Sequence, residues 1–174
     1  MNLKILFLSG CLVLPLMMFS QKNIFDVARS GSVEELKALI SINPDTINAL
    51  NENGYTPLTL AAYSANDTVA LYLVGKVKDI NGSSKFGTPL TAAVFKGRTD
   101  IAEALLNAQA NPNIADANGT TPLHYAIMMG EEKIIKLLVD ANADVTAKDN
   151  RGKTAMDYAE MTKNENIILL LNKN

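Results

Sequence analysis

The sequence holds a single cysteine and a single histidine among 174 residues. One cysteine excludes an intramolecular disulfide framework and any zinc site built from several cysteines. One histidine excludes sites that need two or more imidazoles. Neither sign of charge dominates: 16 Lys and Arg stand against 18 Asp and Glu, a formal net charge of −2. With a pI near 5.4, the chain lacks the basic face of a nucleic-acid binder. It also lacks a long apolar run. The stretch from Ile5 to Phe19 is interrupted by Gly10 and Pro15 and falls short of the about 20 residues a spanning helix needs. What is present is apolar material, 48% of residues, in a length suited to one domain with a substantial core.

The first twenty residues read separately from the rest. Met1 to Lys4 carries one positive charge, Ile5 to Phe19 is almost wholly apolar, and Ser20, Gln21 and Lys22 are small or polar. That order is a secretory leader, 1–20, cleaved near Ser20. It predicts an exported product, periplasmic or secreted, with no stable membrane insertion after cleavage. Leu8-Ser9-Gly10-Cys11 offers a second, minority reading: it resembles the lipobox of bacterial lipoproteins, in which the cysteine is acylated. The eight apolar residues after Cys11 argue against it. The short leader and this tetrapeptide lean bacterial, so the sequons at Asn66, Asn81 and Asn118 are read as unmodified.

The remainder, 21–174, repeats. Gly54-Tyr55-Thr56-Pro57-Leu58, Gly87-Thr88-Pro89-Leu90 and Gly119-Thr120-Thr121-Pro122-Leu123 align, with a weaker Gly152-Lys153-Thr154-Ala155-Met156. The threonines are 32, 33 and 33 residues apart. A second apolar cluster recurs downstream of each, for example Ile101-Leu105-Leu106 and Ile134-Leu138-Val139. Ile24, Val27 and Ala28, then Leu36, Leu39 and Ile40, make a degenerate copy at the front. Five copies result, at about 22–51, 52–83, 84–116, 117–149 and 150–174. Each reads as a tight turn, a short helix opened by Pro, a second turn and a second helix. Neither helix pair hides its apolar face alone, so copies must stack.

A 33-residue period with Thr-Pro-Leu-His-Tyr-Ala at Thr121–Ala126 resembles the ankyrin repeat. Ala143-Asp144-Val145 and Asp149-Asn150-Arg151-Gly152 match its connecting loop and turn. The resemblance covers all of 21–174 and implies an all-α solenoid of about five stacked helix-turn-helix repeats with β-turn tips. Departures are the missing Thr-Pro of the first copy, Thr-Ala-Met in the last, and Ala65 where Gly is usual. The turn Ser83 to Gly87 is one residue short. The resemblance implies binding of another protein, no cofactor and no catalysis.

No constellation of residues contradicts that. His124 falls on the family's His position and is read as a structural residue bonded near the turn. No serine has a spare histidine to activate it, and no Gly-rich phosphate loop follows a strand. Glu34-Glu35 and Glu131-Glu132 sit at starts of second helices, where they suit the helix dipole. Met128, Met129, Met156 and Met161 are read as packing or contact surface and not as a copper site.

In ankyrin repeats the two residues before the helix–helix turn are exposed. The first of that pair here is Arg29, Tyr63, Phe95, Met128 and Met161, one per copy, with Lys96 and Met129 among the second. Stacking sets them in a row on the concave face, and aromatic and methionine enrichment is the composition of an interface centre. The tips add Tyr55, Phe86 and Arg151. The candidate protein-binding residues are therefore Tyr55, Tyr63, Phe86, Phe95, Lys96, Met128, Met129, Arg151 and Met161, with Phe95 and Met128 at the centre. The competing reading is that these rings only shield the helices. The expected product is a monomeric, non-enzymatic, envelope-located binder with no nucleic-acid or metal partner. Immunity-like, scaffold-like and host-directed effector roles all remain open.

Overall fold

A computed structural model describes residues 22–172. The leader, its cleavage site and Cys11 lie outside them. Among the described residues there are ten α-helices in five antiparallel-type pairs: α1 (Ile24–Ser30) with α2 (Val33–Ile42), α3 (Pro57–Tyr63) with α4 (Asp67–Val74), α5 (Pro89–Phe95) with α6 (Thr99–Asn107), α7 (Pro122–Met129) with α8 (Glu132–Asp140), and α9 (Ala155–Thr162) with α10 (Glu165–Leu171). A 3₁₀ turn at Pro44–Asn48 follows α2, an element the repeat pattern does not predict. First helices contact first helices in order, α1 to α9, and second helices do the same, α2 to α10. The fold is an all-α solenoid.

The start of each first helix is written locally. Thr56, Thr88, Thr121 and Thr154 are N-caps whose hydroxyls accept from the backbone N–H three residues on, satisfying a donor the helix cannot. Proline holds the first position of α3, α5 and α7, where its missing N–H costs nothing. His124 completes one such cap. Its Nδ1 accepts from the Thr121 N–H at 3.1 Å, so Nε2 carries the proton and donates to the Lys153 carbonyl at 3.2 Å. The only imidazole is therefore buried structure that joins two repeats.

Small and branched residues bring the layers together. Ala61, Ala62 and Ala93 are fully buried between first helices, while Leu58, Leu90 and Leu123 fill the same level of successive copies. Val69, Leu73, Ile101, Leu105, Ile134 and Leu138 are buried from the second helices. Polar side chains then stitch the copies. Asn66 donates to the carbonyls of Val27, Ala28 and Gly31 at 3.3, 3.2 and 2.9 Å. Asn48, Asn81 and Asn113 each accept from a backbone N–H of the next copy, those of Lys78, Asn111 and Asp144.

The turn between paired helices uses a left-handed residue in four copies: Ala65, Gly97, Gly130 and Lys163, with φ of 57°, 63°, 72° and 55°. Gly takes that conformation without penalty, whereas Ala65 and Lys163 hold it at a cost of roughly 1–2 kcal/mol each.

At the tips, Asn51, Asp116 and Asp149 each close a loop by accepting two backbone N–H groups with one oxygen. The short third tip closes differently: Ser84 and Gly87 exchange backbone hydrogen bonds at 3.0 Å, and Gly87 reaches φ 95°. A Cβ there would meet the Thr91 side chain at 2.6 Å, so the shortened loop depends on glycine.

Candidate protein-binding groove

The first helices end on one face with Arg29, Tyr63, Phe95, Met128 and Met161. The last four are 49, 40, 39 and 67% exposed, which is high for large apolar side chains set side by side. They do not form one uniform stripe. Tyr63 and Phe95 stack face to face, ring centres 6.3 Å apart and planes 6° from parallel. Phe95 meets Tyr125 edge-on at 5.6 Å.

Opposite this wall stand two tip residues. The Tyr55 and Phe86 rings stack at 5.7 Å with planes 20° apart. Tyr55 immediately precedes its helix cap, whereas Phe86 lies one residue further back from its own.

Between the two walls lies a groove of about 680 Å³, within the usual range of ligand clefts. Its floor is Leu60, Ala92, Thr59 and Thr91, with Arg29 and Ser64 toward one end and Tyr125 at the other. The floor threonines are already engaged: Thr59 Oγ1 pairs with Thr56 Oγ1 at 2.9 Å, and Thr91 Oγ1 with the Thr88 N–H at 3.2 Å. The groove therefore presents mainly carbon at its base.

Of the ten Phe and Tyr residues in the chain, five line this groove.

Tyr125 is held by chemistry of its own. Its hydroxyl donates to Asp116 at 2.8 Å. Burial, and then this bond to a carboxylate, push its pKa up to about 12. One repeat later Tyr158 donates to Asp149 at 2.6 Å; that bond is the chief reason the Asp149 carboxyl is held below its ordinary value.

The residues read from the sequence divide into two sets. Tyr55, Tyr63, Phe86 and Phe95 meet in the groove. Lys96 sits on its edge, Nζ 4.8 Å from the Tyr63 ring centre. Met128, Met129 and Met161 continue the exposed row beyond Tyr125 without lining the cavity, and Arg151 is exposed on a later tip. The cavity thus includes Phe95 of the expected central pair, with Tyr63 stacked on it, while Met128 lies outside its lining. Tyr125, Leu60 and Ala92 were not singled out. The signal for them is the fourth residue after each capping threonine, which changes from Leu60 and Ala92 to Tyr125 and Tyr158.

Among the described residues no three His, Cys, Asp or Glu side chains converge as a metal site would need, and no helix is long and apolar enough to cross a membrane.

Comparison with known proteins agrees with the geometry. The family model for ankyrin repeats (three copies) matches residues 24–116, 67–149 and 110–174. Ankyrin repeat and SAM domain-containing protein 6 of Rattus norvegicus is 30% identical over 99 residues, 56% of this chain and 11% of that protein. The protein of the same name from Mus musculus is 29% identical over the same extent. The match thus spans only about a tenth of either relative. Because the family model covers nearly all of the described repeats, the chain belongs to the ankyrin-repeat family.

Proposed function

We propose that this protein is a non-enzymatic binding module of the cell envelope, which acts by holding another protein on the concave face of its repeat stack. Ankyrin arrays are typically interaction domains, and that much follows from the family. The observation that carries the specific reading is the aromatic groove of repeats two to four with the exposed methionines beside it. Tyr63, Phe86 and Phe95, 49, 56 and 40% exposed, leave ring surface open to water on one face, which is costly unless something covers it. With the leader-like 1–20 segment, the reading is of an exported protein whose effect is occupancy: neutralising an envelope partner as an immunity protein does, or holding it as a scaffold does.

Affinity capture from the envelope fraction of its source cells tests this. The full chain should retain a defined partner, the double variant Phe95→Ala, Met128→Ala should lose it, and Glu103→Ala, Lys136→Ala on the opposite side should keep it. Intact-mass analysis of the exported protein should show a chain starting near Gln21. A mass retaining residues 1–20, or an acylated chain beginning at Cys11, would overturn the localisation.

A further inference from the structure

The groove has an electrostatic rim that its apolar lining does not account for. Lys85 Nζ lies 4.8 Å from the Phe86 ring centre on the tip wall, and Lys96 Nζ 4.8 Å from the Tyr63 ring centre on the helix wall. Arg29 lines one end, held loosely by an exposed Asp26 at 3.5 Å. Among the described residues, no Asp or Glu lines the cavity. Among the described residues neither lysine makes an ion pair, whereas Lys22, Lys78 and Lys136 each do.

Resting on the reading of this face as the binding face, we propose that the groove takes one linear segment of the partner, in which a large apolar side chain is flanked by carboxylates. The floor demands the apolar anchor. Its threonine hydroxyls are committed to helix caps, so a polar group lowered onto Leu60 and Ala92 would lose water and find no partner.

The rim demands the acids. A lysine without an ion pair stands on each wall, whereas at the ends Arg29 is paired with Asp26 and Asp116 lies behind Tyr125. Between the two lysines the field favours an anion and repels a cation. That same field disfavours the other ligand an aromatic box suggests, a quaternary ammonium. The walls demand a narrow segment. Two stacked pairs flank the floor and Tyr125 blocks one end, so a flat domain surface would rest on the ring edges and leave the floor empty.

Panning a random-peptide phage library on the immobilised full chain tests this, followed by fluorescence anisotropy of the enriched peptides. The expected family carries Phe, Trp, Tyr, Leu or Ile with Asp or Glu on both sides. Its affinity should fall about tenfold in the double variant Lys85→Ser, Lys96→Ser. It should fall likewise at about 1 M salt, where screening acts within about 3 Å. Ala92→Phe, which fills the floor, should abolish binding; Phe95→Ala reports the same site should that variant fail to fold. Enriched peptides that are basic, a trimethyllysine peptide that binds more tightly than the acidic ones, or no enriched family would each overturn the proposal. Peptides indifferent to Phe95→Ala but lost with Met128→Ala, Met161→Ala would sink the groove and leave the concave face standing. Peptides indifferent to all of these would sink both.

Discussion

Asp116 joins a turn to a ring. One carboxylate oxygen accepts the Asn118 and Thr120 backbone N–H groups at 2.8 and 2.9 Å, and the other accepts the Tyr125 hydroxyl at 2.8 Å. The loop tip and the side chain that ends the groove are thus set by a single residue, and Asp149 repeats the arrangement with Tyr158.

This pairing makes a pH prediction. The Tyr125 pKa is raised from 10 to about 12 in the fold, so the native state holds the phenolic proton more tightly than the unfolded chain does. The contribution is complete below pH ~10 and is lost as pH rises from there toward about 12. Urea melts across that window should show a steeper decline for the wild type than for Tyr125→Phe. Asp149 acts at the other end. Its depressed pKa gives stability present above the ordinary carboxylate range and lost as pH falls through the folded value. Tyr158→Phe should therefore flatten the decline below pH ~4. Parallel profiles for variant and wild type would contradict the assignments.

Stacking predicts unequal costs for equal truncations. Leu105 is fully buried in α6, which packs on both α4 and α8, whereas Leu171 is in α10, the last helix, against α8. Leu105→Ala should cost about 2–5 kcal/mol. Leu171→Ala should cost clearly less, because only one neighbouring repeat supports it. Equal losses in urea melts would argue against repeat-by-repeat stabilisation.

The turn after α3 predicts a gain. Ala65 holds φ 57° where two other copies use Gly97 and Gly130. A non-glycine residue there costs roughly 1–2 kcal/mol, part of which Gly returns as unfolded-state entropy. Ala65→Gly should raise stability by up to about 1 kcal/mol, read as a higher urea midpoint with unchanged slope. A lower midpoint would show that the Ala65 methyl makes a contact worth more than the strain.

The repeat architecture is legible in the sequence because its determinants are local: a capping threonine, a proline at the first helical position, and apolar spacing of three and four. The role of His124 is legible for the same reason, since its cap partner Thr121 is three residues away. The groove is less legible. In aligned repeats Phe86 falls opposite Gly54 and Tyr55 opposite Gly87, so nothing in the register shows that the two rings stack. The third tip is one residue shorter, and a deletion moves side chains in space without marking which ones will meet. The Asn48, Asn81 and Asn113 bonds are hidden likewise, because each asparagine reads as a turn residue and its partner is a backbone group about thirty residues on.

The groove as the binding centre is tested most directly by the affinity of Phe95→Ala for the captured partner, measured where both proteins are folded. Phe95 touches Tyr63 and Tyr125, so its loss should cost stability about 1–2 kcal/mol. It should cost binding at least about 2 kcal/mol, roughly thirtyfold in Kd, while Glu103→Ala, Lys136→Ala binds as the wild type does. An unchanged Kd for Phe95→Ala, or an equal loss in the opposite-face control, would contradict the account.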